Sequence, residues 1–269
     1  MALSDDDTGG YDSRAFVAEF YDFVPAIVDR ADREFYLRYA REAGGTVVEL
    51  GCGTGRLLIP IARSGVRITG VDLSHAMLER CREKLQREPS EVQERVTLVR
   101  CDFTQLDMPR RYSLALAPFR CLQHVLKVEQ QMSCLQSVHH HLEPGGRLIV
   151  DMFQVSAARM HDPAFLQEQL EADGVRLPDG RTFRRSFRTS AFHRAEQIND
   201  CELIYDVTHP DGRSERLVHA FPLRYFFRYE VEHLLARCGF TTEHVFGDYD
   251  TSELCDDSPE MIFVARKNG

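Results

Sequence analysis

Between Thr46 and Ser64 the sequence passes from a β-branched run, Thr-Val-Val-Glu-Leu, through Gly51-Cys-Gly53-Thr-Gly55-Arg56, into apolar residues at helical spacing. A strand that enters a glycine-rich turn and leaves as a helix is one unit of a parallel α/β sheet, and the chain repeats the alternation. Val66 to Val71 predicts a second strand. Ser74 to Arg87 predicts an amphipathic helix with Ser74 as its N-cap. Val96 to Cys101 and Tyr112 to Ala117 read as third and fourth strands. Val128 to Leu142 reads as a helix broken by Glu143-Pro144-Gly145-Gly146, and Arg147 to Met152 as a fifth strand. The expectation is a parallel sheet with helices on both faces.

Beyond Met152 the pattern changes. Phe165 to Leu170 has helical spacing, and the chain then reads as strands at Thr182–Phe192, Cys201–Val207 and Glu215–Phe221. Asp211-Gly212 is a hairpin signal between the last two. Tyr229 to Cys238 returns to helix with Gly239 as its stop, followed by strands at Phe240–Phe246 and Met261–Ala265 around a loop at Asp248–Pro259. Residues 13–40 are helical in character with a break at Pro25, and the acidic first ten residues read as a mobile tail. At roughly 100–200 residues per domain, 269 residues allow one large domain or two small ones. The element order favours one sheet: an N-terminal helical cap at 1–45, a core at 46–152 and 223–269, and an antiparallel β insertion, or lid, at 153–222.

Hydrophobic residues make up 43%, enough for a substantial core. A formal net charge of −9 argues against nucleic acid as the main partner, because phosphate recognition needs concentrated positive charge. One stretch opposes that balance: residues 174–194 hold six arginines (Arg176, Arg181, Arg184, Arg185, Arg188, Arg194) against Asp179. Two readings stand, a solvated strand face paired with the acidic Glu196–Asp206 segment, or a lid that meets a carboxylate or phosphate on a substrate. No run approaches the roughly 18–20 apolar residues of a membrane span, and no signal peptide is evident. Eight cysteines without a C-x-x-C pair read as reduced thiols, so the expectation is a cytoplasmic protein without a membrane partner. His139-His140-His141 does not imply a metal, because consecutive helical residues point about 100° apart; no metal is expected.

Asp72 follows the second strand and lies 21 residues after Gly51, where an acidic side chain can accept from ribose hydroxyls. Dinucleotide binding prefers G-x-G-x-x-G/A, whereas Arg56 occupies the third small position here and the spacing is G-x-G-x-G. The sequence resembles class I S-adenosylmethionine-dependent methyltransferases, in which an acidic residue precedes that G-x-G-x-G turn. Further segments match in order: Val71-Asp72-Leu73-Ser-His-Ala-Met77-Leu, Cys101-Asp102-Phe103, Leu114–Phe119, and Leu142-Glu-Pro-Gly-Gly-Arg-Leu148. The resemblance spans 46–152 and, more loosely, 223–267, and it implies a Rossmann-like seven-stranded sheet whose last strand is antiparallel.

The resemblance also implies roles. Glu49, Gly51, Gly53 and Gly55 would line the methionine and ribose part of S-adenosylmethionine. Asp72 would hold the ribose hydroxyls, Leu73 and Met77 would lie against adenine, Asp102 would accept from its amino group, and Phe103 would pack on the ring. Pro118 and Phe119 would face the reacting methyl group, and Tyr21 resembles a tyrosine that closes over the cofactor in small-molecule members. Core packing is an equal reading for Met77 and Phe103. Methyl transfer from a sulfonium is an in-line displacement that releases S-adenosylhomocysteine and mainly needs alignment. Arg120 and His124, i and i+4 if residues 121–126 form a helical turn, are the candidates for an anion clamp and for a base or orienting group. The leading reading is transfer to an N or O atom of a small-molecule acceptor, with an anionic group on it suited to the arginines. The alternatives are an RNA or protein methyltransferase using the Arg-rich insertion, and a non-catalytic S-adenosylmethionine-binding protein.

Overall fold

The computed structural model describes residues 11–12, 14–156 and 160–269. The first ten residues, read above as a tail, lie outside that set. Helices α1 (Ala15–Phe20), α2 (Pro25–Val28) and α3 (Arg33–Glu42) come first, with a 3-10 turn at Tyr21–Phe23. Pro25 supplies the break, standing in the first turn of α2 where its missing N–H has no intrahelical partner to lose. There follow β1 (Val47–Leu50), α4 (Leu58–Arg63), β2 (Ile68–Asp72), α5 (His75–Leu85), α6 (Ser90–Gln93), β3 (Val96–Arg100), β4 (Tyr112–Ala117), α7 (Val128–His141) and β5 (Leu142–Phe153). The chain continues through β6 (Gln169–Arg176), β7 (Thr182–His193), β8 (Ile198–Thr208) and β9 (Ser214–Arg224) to α8 (Arg228–Arg237), β10 (Phe240–Phe246) and β11 (Glu260–Lys267).

Two compact units result. The larger comprises Ala31–Gln154 and Tyr225–Gly269. Its seven-stranded sheet runs β10-β11-β5-β4-β1-β2-β3. β1 to β5 pair in parallel, and β11 runs antiparallel to both β5 and β10. This is the Rossmann-like seven-stranded sheet, with its last strand antiparallel, that the resemblance implies. Alternate strand residues enter separate cores, as a pleated strand requires. Val48, Leu50, Ala115, Leu148, Val150 and Phe263 pack with α7 and α8. Val47, Leu114, Leu116, Ile149 and Ile262 pack with α3, α4 and α5 on the other side.

Local chemistry explains the boundaries. Ser74 caps α5, its hydroxyl oxygen accepting from the Met77 N–H at 3.2 Å. The Glu143-Pro144-Gly145-Gly146 break appears as a register shift between β4 and β5 rather than as an end to β5. The three histidines close α7. His141 Nε2 accepts from the Met108 N–H at 3.1 Å, so its Nδ1 carries the proton and donates to the Ser137 carbonyl at 2.8 Å. Lys267 Nζ donates to the carbonyls of His139 and Leu142 at the same helix end. Among the described residues no group of side chains is placed to hold a metal ion. No described helix is long and apolar enough to cross a membrane. All eight cysteines are free thiols, and only Cys255 is exposed.

In the smaller unit, residues up to Arg30 join Val155–Arg224. The sequence-based cap at 1–45 is thus divided, with α3 packing against the large sheet. The antiparallel sheet β6-β7-β8-β9 is the insertion. Phe16 and Phe20 of α1 pack against Phe183 of β7 and Tyr205 of β8. The helix expected at Phe165–Leu170 is instead a 3-10 turn at Pro163–Leu166 followed by the edge strand β6. Only Ala172 of that strand is buried, so its sequence carries no two-residue alternation; β7 supplies its hydrogen bonds.

Candidate active site

β1 lies between β2 and β4, and successive strands are added in opposite directions on its two sides. The carboxyl ends of β1 and β4 therefore border the crevice where an open α/β sheet receives a ligand. The turn leaving β1 holds Gly51, Gly53 and Gly55 at φ of 66°, 53° and 82°. L-residues rarely adopt that region. At Gly55 a Cβ would also lie 2.6 Å from Cys81 Sγ, whereas at Gly53 it would meet no atom within 4 Å. Gly53 is the point where a ligand can approach the backbone. Its N–H donates to Asp72 Oδ2 at 2.7 Å, and the Ser74 N–H donates to Oδ1 at 2.9 Å. Asp72 thus braces the turn, and each carboxylate oxygen offers more than one acceptor position.

Glu49 enters from β1. It is 2% exposed, and its Oε2 has no hydrogen-bond partner. Burial pushes its carboxyl up to about 8, against the opposing pull of the Arg56 guanidinium; Asp32 and Asp72 push further upward. Arg56 cannot neutralise Glu49 fully because it is committed elsewhere. Its two terminal nitrogens donate to the two oxygens of fully buried Asp32, both at 2.6 Å. The same guanidinium lies 5.4 Å from the centre of the Phe119 ring. A buried carboxyl with an unfilled acceptor beside an open glycine turn fits the ammonium-bearing end of a ligand such as S-adenosylmethionine.

The other cofactor candidates lie on the same side of the sheet order. Leu73 is half-buried and its carbonyl accepts from Arg100 Nε at 2.9 Å. Met77 is buried on α5. Asp102 caps a 3-10 turn at Phe103–Gln105 through Oδ1, which accepts from the Thr104 N–H at 2.8 Å. Phe103 is partly buried against the α7-side core and lines a small apolar cavity of about 10 Å³ with Leu50, Ala117 and Leu135.

After β4, Pro118 is buried and the chain enters two consecutive left-handed residues, Phe119 (φ 52°) and Arg120 (φ 67°). Each non-glycine residue in that conformation costs on the order of 1–2 kcal/mol, so something must hold it. Asp151 of β5 does so. Its fully buried carboxylate accepts from the Phe119 N–H at 2.9 Å, the Arg120 N–H at 2.8 Å, the Tyr36 hydroxyl at 2.6 Å and the Tyr249 hydroxyl at 2.7 Å. Burial, and then the Asp151 charge, hold the Tyr36 phenol well above its ordinary range, so it remains a donor. The sequence reading missed Asp151, Tyr36, Tyr249 and Asp32. A detectable signal for the first was a carboxylate within the apolar run Leu-Ile-Val-Asp-Met-Phe.

Cys121–His124 is a 3-10 turn, not an α-helical one, and Arg120 stands outside it as its left-handed N-cap. At three residues per turn, positions i and i+4 do not share a face, so the pairing of Arg120 with His124 argued from helical spacing does not form. Arg120 instead reaches Glu260 Oε1 at 3.4 Å and lies over the Phe153 ring. His124 is half-buried. Tyr21 belongs to the smaller unit, in its first 3-10 turn. The insertion arginines are largely paired within that unit: Arg181 with Glu19 and Asp179, Arg185 with Glu171, Arg188 with Glu202, and Arg194 with the Met160 carbonyl. Arg184 is exposed.

A family model described as a methyltransferase domain matches residues 47–146, which contain the glycine turn, Asp72, Asp102 and the post-β4 segment. Residues 47–146 thus carry a methyltransferase domain, set in the seven-stranded sheet that solved S-adenosylmethionine-dependent methyltransferases share. Among curated relatives, the cypemycin N-terminal methyltransferase from a Streptomyces species is 26% identical over 83% of this chain and 84% of its own length. A dTDP-3-amino-3,4,6-trideoxy-α-D-glucopyranose N,N-dimethyltransferase from Streptomyces venezuelae is 24% identical, covering 84% of this chain and 86% of the relative. Among solved structures, the CcbJ methyltransferase from Streptomyces caelestis superposes with a TM-score of 0.76, at 24% identity, over 99% of this chain and all of that one.

Proposed function

We propose that this methyltransferase acts on an amine nitrogen of a small-molecule acceptor, and that the antiparallel insertion selects that acceptor. The observation that carries the reading is the buried Glu49 carboxyl beside the open Gly53 turn at the β1–β4 crevice. It provides for a cationic, nucleoside-bearing methyl donor without demanding a metal or a nucleophilic residue. S-adenosylmethionine, when bound, supplies a methyl group already activated by the sulfonium charge.

What remains for the protein is to hold, align and exclude water. In this reading Glu49 and the glycine turn take the amino-acid end, Asp72 the ribose, and Leu73, Met77, Asp102 and Phe103 the adenine. The Pro118–Phe119 segment faces the methyl group. An amine that has lost its proton to solvent attacks through its lone pair, so no residue must act as base in the displacement. Two relatives spanning more than four-fifths of the chain carry names that support this reading, an N-terminal methyltransferase and an N,N-dimethyltransferase of a 3-amino sugar nucleotide. Arg184, exposed in the basic stretch, is the candidate contact for an anionic group on the acceptor.

The test is a panel of amino sugars, peptide amines, phenols and carboxylates incubated with S-adenosylmethionine. S-adenosylhomocysteine release and product mass are the readouts. Turnover confined to amines is expected. Turnover confined to phenols or carboxylates would overturn the nitrogen assignment. Tight cofactor binding with no turnover across a broad panel would favour a non-catalytic binding protein.

A further inference from the structure

The segment after β4 is built around an internal anion. Successive backbone N–H groups in a turn can form a concave nest that binds negative charge. Here the nest is Phe119–Arg120 and the charge is the carboxylate of Asp151, one oxygen accepting from each amide. Two phenols complete its shell: Tyr36 from α3 and Tyr249 from the loop after β10. Four donors therefore converge on one carboxylate from three separate parts of the larger unit, and Asp151 itself is fully buried. Packing alone does not account for this group, because an apolar residue at 151 would fill the strand without desolvating a charge.

We infer that Asp151 is a positioning residue for the reaction: its carboxylate holds the Phe119–Arg120 backbone left-handed and so sets where Pro118 and Phe119 present themselves to the cofactor. The inference rests on the reading of this crevice as the methyl-transfer site. The tyrosines act through Asp151. Tyr36 ties the nest to α3, whose N-cap Asp32 holds Arg56, and Arg56 in turn covers the Phe119 ring. Asp151 thus holds the post-β4 segment, while the separate Arg56–Asp32 pair holds the residue that leaves the glycine turn.

The decisive comparison uses Arg120→Gly and Arg120→Ala, each in the wild-type and the Asp151→Asn backgrounds. Both remove the same guanidinium; they differ in that glycine accepts the left-handed φ and alanine resists it. With Asp151 present, the two variants are expected to bind S-adenosylmethionine with closely similar affinity. In the Asp151→Asn background the side-chain amide offers one acceptor oxygen to four donors. There the glycine variant is expected to bind about ten-fold more tightly than the alanine variant. Hydrogen exchange of the peptide spanning 117–123 should accelerate in Asp151→Asn, while the peptide spanning 47–55 keeps its protection. Equal affinities of the glycine and alanine variants in both backgrounds, or unchanged exchange at 117–123, would overturn the inference. Failure of the wild-type chain to bind S-adenosylmethionine would strike the site reading instead, and the exchange data would still decide whether Asp151 holds the nest.

Discussion

Burial holds the Glu49 carboxyl at about 8, against an ordinary value of 4.5. A proton therefore stays on this group in the folded chain across a range where the unfolded chain has released it. The stability it contributes is complete below the unfolded value and is lost as pH rises through the folded one. Wild type should thus lose thermal stability relative to Glu49→Gln between about pH 5 and about pH 9, the difference growing as pH rises. An ammonium group placed beside Glu49 favours the carboxylate, so S-adenosylmethionine binding near neutral pH should release a proton. Calorimetry in buffers of different ionisation enthalpy measures this, and Glu49→Gln should abolish the release. Binding by wild type with no proton released would detach Glu49 from the cofactor's amino group. The position of Glu49 before the glycine turn was legible in the sequence. Its isolation was not, because Arg56, the nearest cation in sequence, is claimed by Asp32, a residue 24 positions earlier in another element.

At the scale of elements, that Arg56–Asp32 pair joins the start of α3 to the entrance of α4. Its side chains are 10% and 0% exposed. Removing one partner of a buried pair leaves the other charged and unsolvated, at a cost of about 3–5 kcal/mol. Asp32→Ala should lower stability by about that amount in urea unfolding, whereas removing Asp211 from its exposed pair with Arg213 should leave the unfolding midpoint essentially unchanged. Near-equal effects would mean that solvent reaches Arg56. This pair also explains why an arginine stands where a dinucleotide-binding turn would keep a small residue. Most elements were legible because their periodicity is strong. Tyr112–Ala117 and Phe240–Phe246 match the strands read from sequence end to end. Two local features escaped. The edge strand β6 buries only Ala172 and so resembles a polar loop. The turn after β4 takes its geometry from Asp151, thirty-odd residues away, and not from its own residues.

For the molecule as a whole, strand–helix alternation fixed the class of sheet, and the ordered motifs matched the strand ends that border the β1–β4 crevice. The partition into units was less legible: α1 belongs with the insertion because Phe16 and Phe20 meet Phe183 and Tyr205, a pairing across more than a hundred residues that no local pattern announces. The same pairing logic bears on charge. The net charge is −9, and four arginines of the basic stretch already have carboxylate or carbonyl partners within their own unit. Phosphate binding gains its free energy from cations that can replace condensed counterions, and a guanidinium held by a neighbouring carboxylate contributes little to that exchange. The chain should therefore show no retention of a fluorescent single-stranded or hairpin RNA at physiological salt, even at protein concentrations of about 10 μM, where non-specific binders begin to saturate. Anisotropy titrations at two salt concentrations make the measurement. Micromolar binding that weakens steeply with salt would show that the arginines leave their partners for phosphate, and it would move the acceptor from a small amine toward a nucleic acid.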